Sequence, residues 1–320
     1  MKKVLLAIVA ALLPLALSAG GVNDDKPIKQ SKIVYLYPEG QAAGKGIVEN
    51  GVAITLGPGE DNGKHGPETV KPVGMVYDIG DSARMEFYFP ENPNGLMIIN
   101  CPGGAYWFVA EVNEGYCTVE WLLSQGIAVC NMFYRLPYGH KTVPLTDVQN
   151  AFRYCRYHAA EWGIDKIGVM GFSAGGHLAA SASTLFVDDI TRPDFSVLIY
   201  PVITMEPGVT HQGSKENLIG HTWTAEDEEW YSLHRRVSNR TPVTFLGLSG
   251  NDTAVPIQNS IDYYYALRQH GISATMHIYP DGGHGWGFNH PPYRKGDGLG
   301  SYRETFKADL AKFLKDQIVK

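Results

Sequence analysis

Three stretches of the chain place a hydroxyl, a carboxylate and an imidazole where nucleophilic chemistry needs them. "KIGVMGFSAGGHLAA" contains Gly171-Phe172-Ser173-Ala174-Gly175, a G-x-S-x-G pentapeptide between an apolar strand and a small-residue helix. A serine at the tip of so sharp a turn needs neighbours without side chains. Gly171 and Gly175 supply them, and Ala174 and Gly176 let the helix begin at once. The turn lifts the hydroxyl above a sheet edge, with a helix N-terminus beneath it that favours negative charge. A serine hydroxyl is a poor nucleophile until a base takes its proton. His284, in the glycine-rich loop after "ATMHIY", is placed to be that base, unlike the other histidines. Asp252, after the apolar run "PVTFLGL", is placed to orient the imidazole and stabilise its cation. Its rival Asp281 lies only three residues before His284 and presents its carboxylate poorly.

Attack on a carbonyl also needs N–H groups aimed at the developing oxyanion. One is expected from Ala174, directly after the serine. The other is expected from "CPGGAYW" (101–107), which follows the apolar run "GLMIIN". This loop lacks the G-x-G-x-x-G or G-K-[ST] pattern of a phosphate cradle, so Gly104 and Ala105 are the expected N–H donors. Tyr106, Trp107 and Trp286 flank the oxyanion loop and His284, where aromatic rings either stack on a substrate sugar or pack into the core. His177, on the helix after the serine, packs or lines the pocket, and Arg135 and Asp147 are expected to brace loops beneath the site.

The elements that must position these groups are legible as periodicities. Near-continuously apolar runs at 95–100, 126–134, 166–171, 195–200, 242–248 and 274–279 read as parallel strands buried on both faces. Helical spacing links Leu145, Val148, Phe152, Cys155, Ala159 and Trp162, with Gly163 as C-cap, and then Ile257, Ile261, Tyr264 and Leu267. Ser301-x-x-Glu304 predicts a capping box opening the last helix, which carries Phe306, Leu310, Phe313 and Leu314. Such alternation indicates an α/β fold with a mostly parallel central sheet and helices on both faces. "KIVYLY", "VAIT" and "RMEFYF" in residues 31–90 read instead as antiparallel edge strands. Residues 203–240 are too long for a simple connection. They are expected to form a small lid-like insertion, with His211, His221 and Trp223 contributing specificity from it.

Composition narrows the class of partner. A formal net charge of −6 over 320 residues gives no basic footprint for nucleic acid. Lys2 and Lys3, the run "VLLAIVAALLPLAL" and the small residues of "ALSAGG" read as a secretory signal peptide over residues 1–20. A single exported domain over 21–320 follows, periplasmic or secreted and without stable membrane insertion. Cys101, Cys117, Cys130 and Cys155 fall on strands and helices and read as free thiols rather than a disulfide framework. No H-E-x-x-H or paired ligand cluster suggests a metal.

The motifs "CPGGAY", "FYRLPYGH", "LTDVQNAFRYCR", "GFSAGGHLAA", "GNDTAVP" and "YPDGGHGWG" together resemble the α/β-hydrolase esterases of the acetyl esterase and acetylxylan esterase type. The resemblance spans about residues 95–290. It implies the α/β-hydrolase fold and a serine esterase without cofactor that acts on small acyl esters, such as carbohydrate acetates. Pro102 stands where many relatives have His, and Ala105 where they have a third Gly; both departures keep the backbone donors. Feruloyl or other aryl esters are the next expectation, followed by a peptidase on the same scaffold and a catalytically silent binding protein.

Overall fold

The computed structural model describes residues 30–38, 45–288 and 298–319, so residues 1–20, expected to be a signal peptide, lie outside the described residues. Its frame is an eight-stranded sheet. In chain order the strands are β1 (Lys32–Tyr35), β2 (Arg84–Tyr88), β3 (Leu96–Cys101), β4 (Ala128–Phe133), β5 (Lys166–Phe172), β6 (Phe195–Ile199), β7 (Val243–Ser249) and β8 (Ala274–Tyr279). In space they run β1-β2-β4-β3-β5-β6-β7-β8. β1 and β2 pair antiparallel, as does β2 with β4, and every later pairing is parallel. The six apolar runs expected as strands all enter this sheet, with boundaries shifted by at most two residues. "KIVYLY" and "RMEFYF" form its antiparallel end. "VAIT" does not join it: Val52–Ala53 pairs only with Val48–Glu49 in a separate two-stranded ribbon.

Helices cover both faces. α2 (Val143–Trp162), α3 (Ser173–Thr184) and α6 (Gln258–Gln269) pack on one side through Val148, Phe152, Leu178, Tyr263 and Leu267. α1 (Cys117–Ser124) and α7 (Arg303–Phe313) pack on the other through Val119, Leu122, Phe306 and Leu310. Each such side chain, taken fully out of water, contributes about 1.5–3 kcal/mol. α2 ends at Gly163 in the left-handed conformation expected of its C-cap.

Two helix expectations are corrected. The buried stripe of α6 is turned by one residue: Tyr263 is fully buried, whereas Tyr264 is only partly so. Ser301 does not cap α7. Residues 300–302 already form a 3₁₀ turn, so the chain enters the helix from Tyr302 in a helical conformation instead of the extended geometry that a capping serine requires. All four cysteines are free, three of them buried. Among the described residues no helix is long and apolar enough to cross a membrane.

The insertion between β6 and β7 contains α4 (Gln212–Ile219), α5 (Ala225–Trp230) and a 3₁₀ turn at Leu233–Arg235. A second addition was not expected from the sequence. Thr69–Lys71 and Met75–Tyr77 form a hairpin, and Val109–Ala110, just beyond the glycine loop, adds a third strand to it.

Candidate active site

The chain crosses from β4 to β5 over β3, so the direction of winding changes between β3 and β5. In an open α/β sheet the crevice at the carboxyl ends of two such strands is where ligands bind. The register puts Gly171 of β5 opposite Cys101 of β3. The loops that follow these residues, carrying Ser173 and Gly103-Gly104, therefore emerge side by side although 70 positions separate them in sequence.

β5 breaks into α3 at Ser173, whose φ of 53° lies in the left-handed region. Only a surrounding structure that over-determines it holds a non-glycine residue there. The flanking glycines show how. A Cβ on Gly171 would stand 2.1 Å from the Gly175 carbonyl oxygen, and one on Gly175 would stand 2.1 Å from that of Cys101. Backbone of the turn and of the adjacent strand β3 therefore closes around the serine. Ala174 lies in the first turn of α3, where N–H groups have no partner within the helix.

His284 Nε2 lies 2.8 Å from Ser173 Oγ, and His284 Nδ1 lies 2.7 Å from Asp252 Oδ2. Asp252 Oδ1 accepts the N–H groups of Ala254 and Val255, each at 2.9 Å. Burial alone would raise the Asp252 carboxyl pKa. The hydrogen bond and charge of His284, with the two backbone N–H groups, more than offset it and hold the group below the usual carboxylate range. An ionised carboxylate only accepts, so Nδ1 carries the imidazole proton and Nε2 presents its lone pair to the serine hydroxyl. Asp281 is not in this chain of contacts; its carboxylate accepts from Asn251 Nδ2 at 3.4 Å.

Opposite the serine, the glycine loop is locked peptide by peptide. The Gly103 carbonyl accepts from Ala110 N–H at 2.9 Å, and the Gly104 carbonyl from Trp107 and Phe108 N–H at 2.9 and 3.1 Å. In a trans peptide the N–H points opposite to the carbonyl. Fixing these two carbonyls therefore fixes the Gly104 and Ala105 N–H groups, and among the described residues nothing accepts from either. Gly104 has φ 132°, and a Cβ there would meet the Phe108 carbonyl at 2.0 Å. Ala105 and Tyr106 follow at φ 55° and 59°, so the alanine accepts the left-handed conformation that glycine holds without strain.

Two distant side chains fasten this loop, and sequence reasoning missed both. Glu114, 4% exposed, sits in a π-helical turn (Glu111–Tyr116) ahead of α1, a geometry that recurs at functional sites. Its Oε2 accepts from Gly103 N–H at 2.6 Å and its Oε1 from Tyr200 Oη at 2.7 Å. Tyr200 in turn accepts from Gly287 N–H at 2.8 Å and lays its ring edge-on to His284 at 4.8 Å. Asn217 of α4 donates to the Ala105 carbonyl at 2.9 Å. The only sequence signal was position: an acid 11 residues past Gly103 and a tyrosine at the end of β6.

A cavity of about 460 Å³ opens above Ser173 and His284 and is lined by Gly104, Ala105, Glu114, Asn113, Gly285 and His211. Val73, Met75 and Phe108, from the hairpin and the loop beside it, form its apolar wall. Of the aromatic candidates, Tyr106, His177 and Trp286 are buried and lie off this cavity. Tyr106 Oη bonds His177 Nδ1 at 2.9 Å, and His177 Nε2 meets the Tyr231 carbonyl at 2.9 Å. Burial pushes the His177 pKa down to about 4, so the imidazole is neutral. Trp286 donates to Ser249 Oγ at 2.9 Å and packs on Tyr200 and Phe306. These three residues therefore pack beneath the site without reaching a ligand in it. Trp107 is 61% exposed at the end of the glycine loop and is not among the residues that line the cavity. Arg135 and Asp147 are fully buried and paired, and Arg135 also holds the carbonyls of Pro58 and Glu60. In the insertion His221 is exposed, while Trp223 donates to Glu228 at 2.7 Å.

A family model described as BD-FAE matches residues 85–197. An acetylxylan esterase of Xylanibacter ruminicola is 39% identical over 227 residues, covering 69% of this chain and 47% of that protein. The crystal structure of an acetyl ester-xyloside bifunctional hydrolase from Caldicellulosiruptor lactoaceticus superposes with a TM-score of 0.64 at 34% identity, covering 72% of this chain and 87% of that one. The chain belongs to the α/β-hydrolase esterases of the acetylxylan esterase type. This family comprises carboxylic ester hydrolases. An endo-1,4-beta-xylanase B of Butyrivibrio fibrisolvens is also similar, 32% identical over 229 residues that make up 66% of this chain and 36% of that protein. The chain thus spans about half or less of the length of these two curated relatives.

Proposed function

We propose that this esterase is exported and removes acetyl groups from plant polysaccharides or their oligosaccharides through a Ser173–His284–Asp252 triad. The observation that carries this reading is the unbroken hydrogen-bonded chain from Ser173 through His284 to Asp252, at the mouth of a cavity whose other side presents two fixed N–H groups. His284 Nε2 takes the Ser173 proton as Oγ attacks the ester carbonyl. The N–H groups of Gly104, Ala105 and Ala174 receive the oxyanion, and donors of this kind are each worth about 10²–10³ in kcat. Collapse breaks the bond to the alcohol, which leaves with the proton from His284. Water, deprotonated by the same imidazole, attacks the acyl carbonyl, and His284 returns the proton to Ser173 Oγ as acetate leaves.

The acetyl and carbohydrate parts of the reading rest on the relatives that share most of this chain. Trp107, exposed beside the loop, offers a face on which a sugar ring can stack. Ser173→Ala is expected to lower kcat for 4-nitrophenyl acetate by about 10⁴-fold or more with an unchanged urea midpoint; retained turnover would refute the nucleophile. Incubation with acetylated xylan, acetylated pectin and feruloylated arabinoxylan, followed by identification of the released acid, tests the substrate. The apolar wall and the size of the cavity favour one second reading, an aryl-acyl esterase, and ferulate release in place of acetate would establish it. Export is tested by sequencing the N-terminus of the mature protein.

A further inference from the structure

His211 is the one insertion residue among the three expected to set specificity that lines the cavity beside Ser173 and His284. It is also the N-cap of α4, an unusual choice where Ser, Thr, Asp or Asn normally serve. Its Nδ1 accepts the Ser214 N–H at 3.2 Å and stands 2.9 Å from Ser214 Oγ. A backbone N–H can only donate, so Nδ1 holds the lone pair and the ring proton sits on Nε2. Protonating Nδ1 would break the cap and set a cation against the positive end of the helix dipole. Burial, and then the charge of neighbouring His284, lower the pKa of this imidazole against a smaller opposing pull from Asp252. His211 is therefore a fixed neutral ring with its Nε2–H on the edge away from the helix, and among the described residues nothing accepts from it. A serine or asparagine would cap α4 as well, so the cap alone does not explain a histidine here.

Position gives this donor a task. His284 returns its proton to the departing alcohol, so the alcohol oxygen must pass next to His284. A group beside His284 therefore faces the alcohol half of the ester, while Val73 and Met75 line the apolar wall. We infer that His211 is a specificity-determining residue whose Nε2–H donates to a hydroxyl on the carbon adjacent to the ester-bearing carbon, so that esters of vicinal diols, sugars included, are preferred over esters of simple alcohols. The inference rests on the esterase reading above and refines it.

The test uses two esters that differ by this hydroxyl alone, cyclohexyl acetate and trans-2-hydroxycyclohexyl acetate, with the full-length protein and its His211→Ser and His211→Ala variants. In the native protein kcat/KM is expected to favour the hydroxylated ester about five- to tenfold, the effect of one hydrogen bond. In His211→Ser, which keeps the cap and hence the thermal midpoint, the preference should fall to about one, mostly through KM. His211→Ala loses cap and donor together and should show the same collapse with a lower midpoint. A native ratio near one, or a preference that persists in His211→Ser, overturns the inference and leaves the esterase reading standing. If neither ester is hydrolysed by the native protein while 4-nitrophenyl acetate is also untouched, the esterase reading falls and this inference with it.

Discussion

The two loops that meet over the cavity both carry left-handed backbone, yet they are held in different ways. At the serine turn the strain of Ser173 is enclosed by backbone, with the Gly175 carbonyl of the turn itself and the Cys101 carbonyl of the adjacent strand β3 where side chains would otherwise stand. In the glycine loop, backbone bonds from Trp107, Phe108 and Ala110 are joined by polar side chains reaching in from elsewhere, Glu114 of the π-helical turn on the Gly103 N–H and Asn217 of the insertion on the Ala105 carbonyl. The first arrangement leaves its mark in a pentapeptide, because close backbone approach demands glycine at Gly171 and Gly175. The second depends on residues 11 and 112 positions away. A turn sealed by surrounding backbone should fail sharply when a single methyl group is added, whereas a loop that also depends on distant side chains should lose alignment before it loses stability.

Among the substitutions that probe this difference, Gly175→Ala is expected to have the largest effect on stability. The new Cβ would lie 2.1 Å from the Cys101 carbonyl oxygen and 2.5 Å from that of Pro102, and neither backbone atom can swing aside. Overpacking of this kind costs about 3 kcal/mol, and since the displaced atoms belong to β3 and the glycine loop, kcat should fall at least about tenfold as well. Urea unfolding and 4-nitrophenyl acetate turnover read the two effects. A variant with native stability and rate would show that the turn is not sealed by its backbone.

Glu114→Gln is expected to come next and to separate the loops. A glutamine offers one carbonyl oxygen where Glu114 has two, so Gly103 N–H and Tyr200 Oη cannot both be satisfied as now. The buried donor left without an acceptor costs about 1–3 kcal/mol. The Gly104 N–H, turned with its neighbour, should lower kcat by about 10- to 100-fold with KM within about threefold. Glu114 touches no reacting atom in this arrangement and acts as a positioning residue. A purely structural role would lower the urea midpoint with kcat unchanged, and that result would break the distinction between the two loops.

The same distinction explains what was legible in the sequence. The six apolar strands were readable because burial on both faces leaves an unbroken run, and the turn at Ser173 because close backbone approach forces glycine at fixed offsets. Asp252 was chosen over Asp281 by its place at the end of a strand, and the structure brings it to His284. Glu114, Tyr200 and Asn217 were not legible, since nothing local marks an acid, a phenol or an amide as the fastener of a loop in another element. The aromatic residues misled for the converse reason. Type and proximity to the site are the same for Tyr106, Trp286 and Trp107, and only three-dimensional packing buries the first two and leaves the third exposed. His211 could be noticed but not placed, because its two nitrogens serve different neighbours and only the cap geometry separates them. Ser301 failed as a cap because the chain was already helical when it reached α7.

Ala105→Gly should give the smallest effect and is the finest probe of the comparison. Alanine at φ 55° carries left-handed strain of about 1 kcal/mol that glycine would relieve. Glycine also frees the unfolded chain, which offsets about 0.4–1 kcal/mol of this gain. The net change in stability should therefore stay within about 1 kcal/mol of the native protein. The rate should hardly move, because the Ala105 N–H is aimed by the Gly104 carbonyl bonds to Trp107 and Phe108, and the Ala105 carbonyl is held by Asn217. None of these contacts involves the methyl group, so kcat is expected within about twofold of native. A tenfold loss would mean that the stiffness of the alanine itself aims the donor and that the hydrogen bonds around the loop do not suffice to hold it.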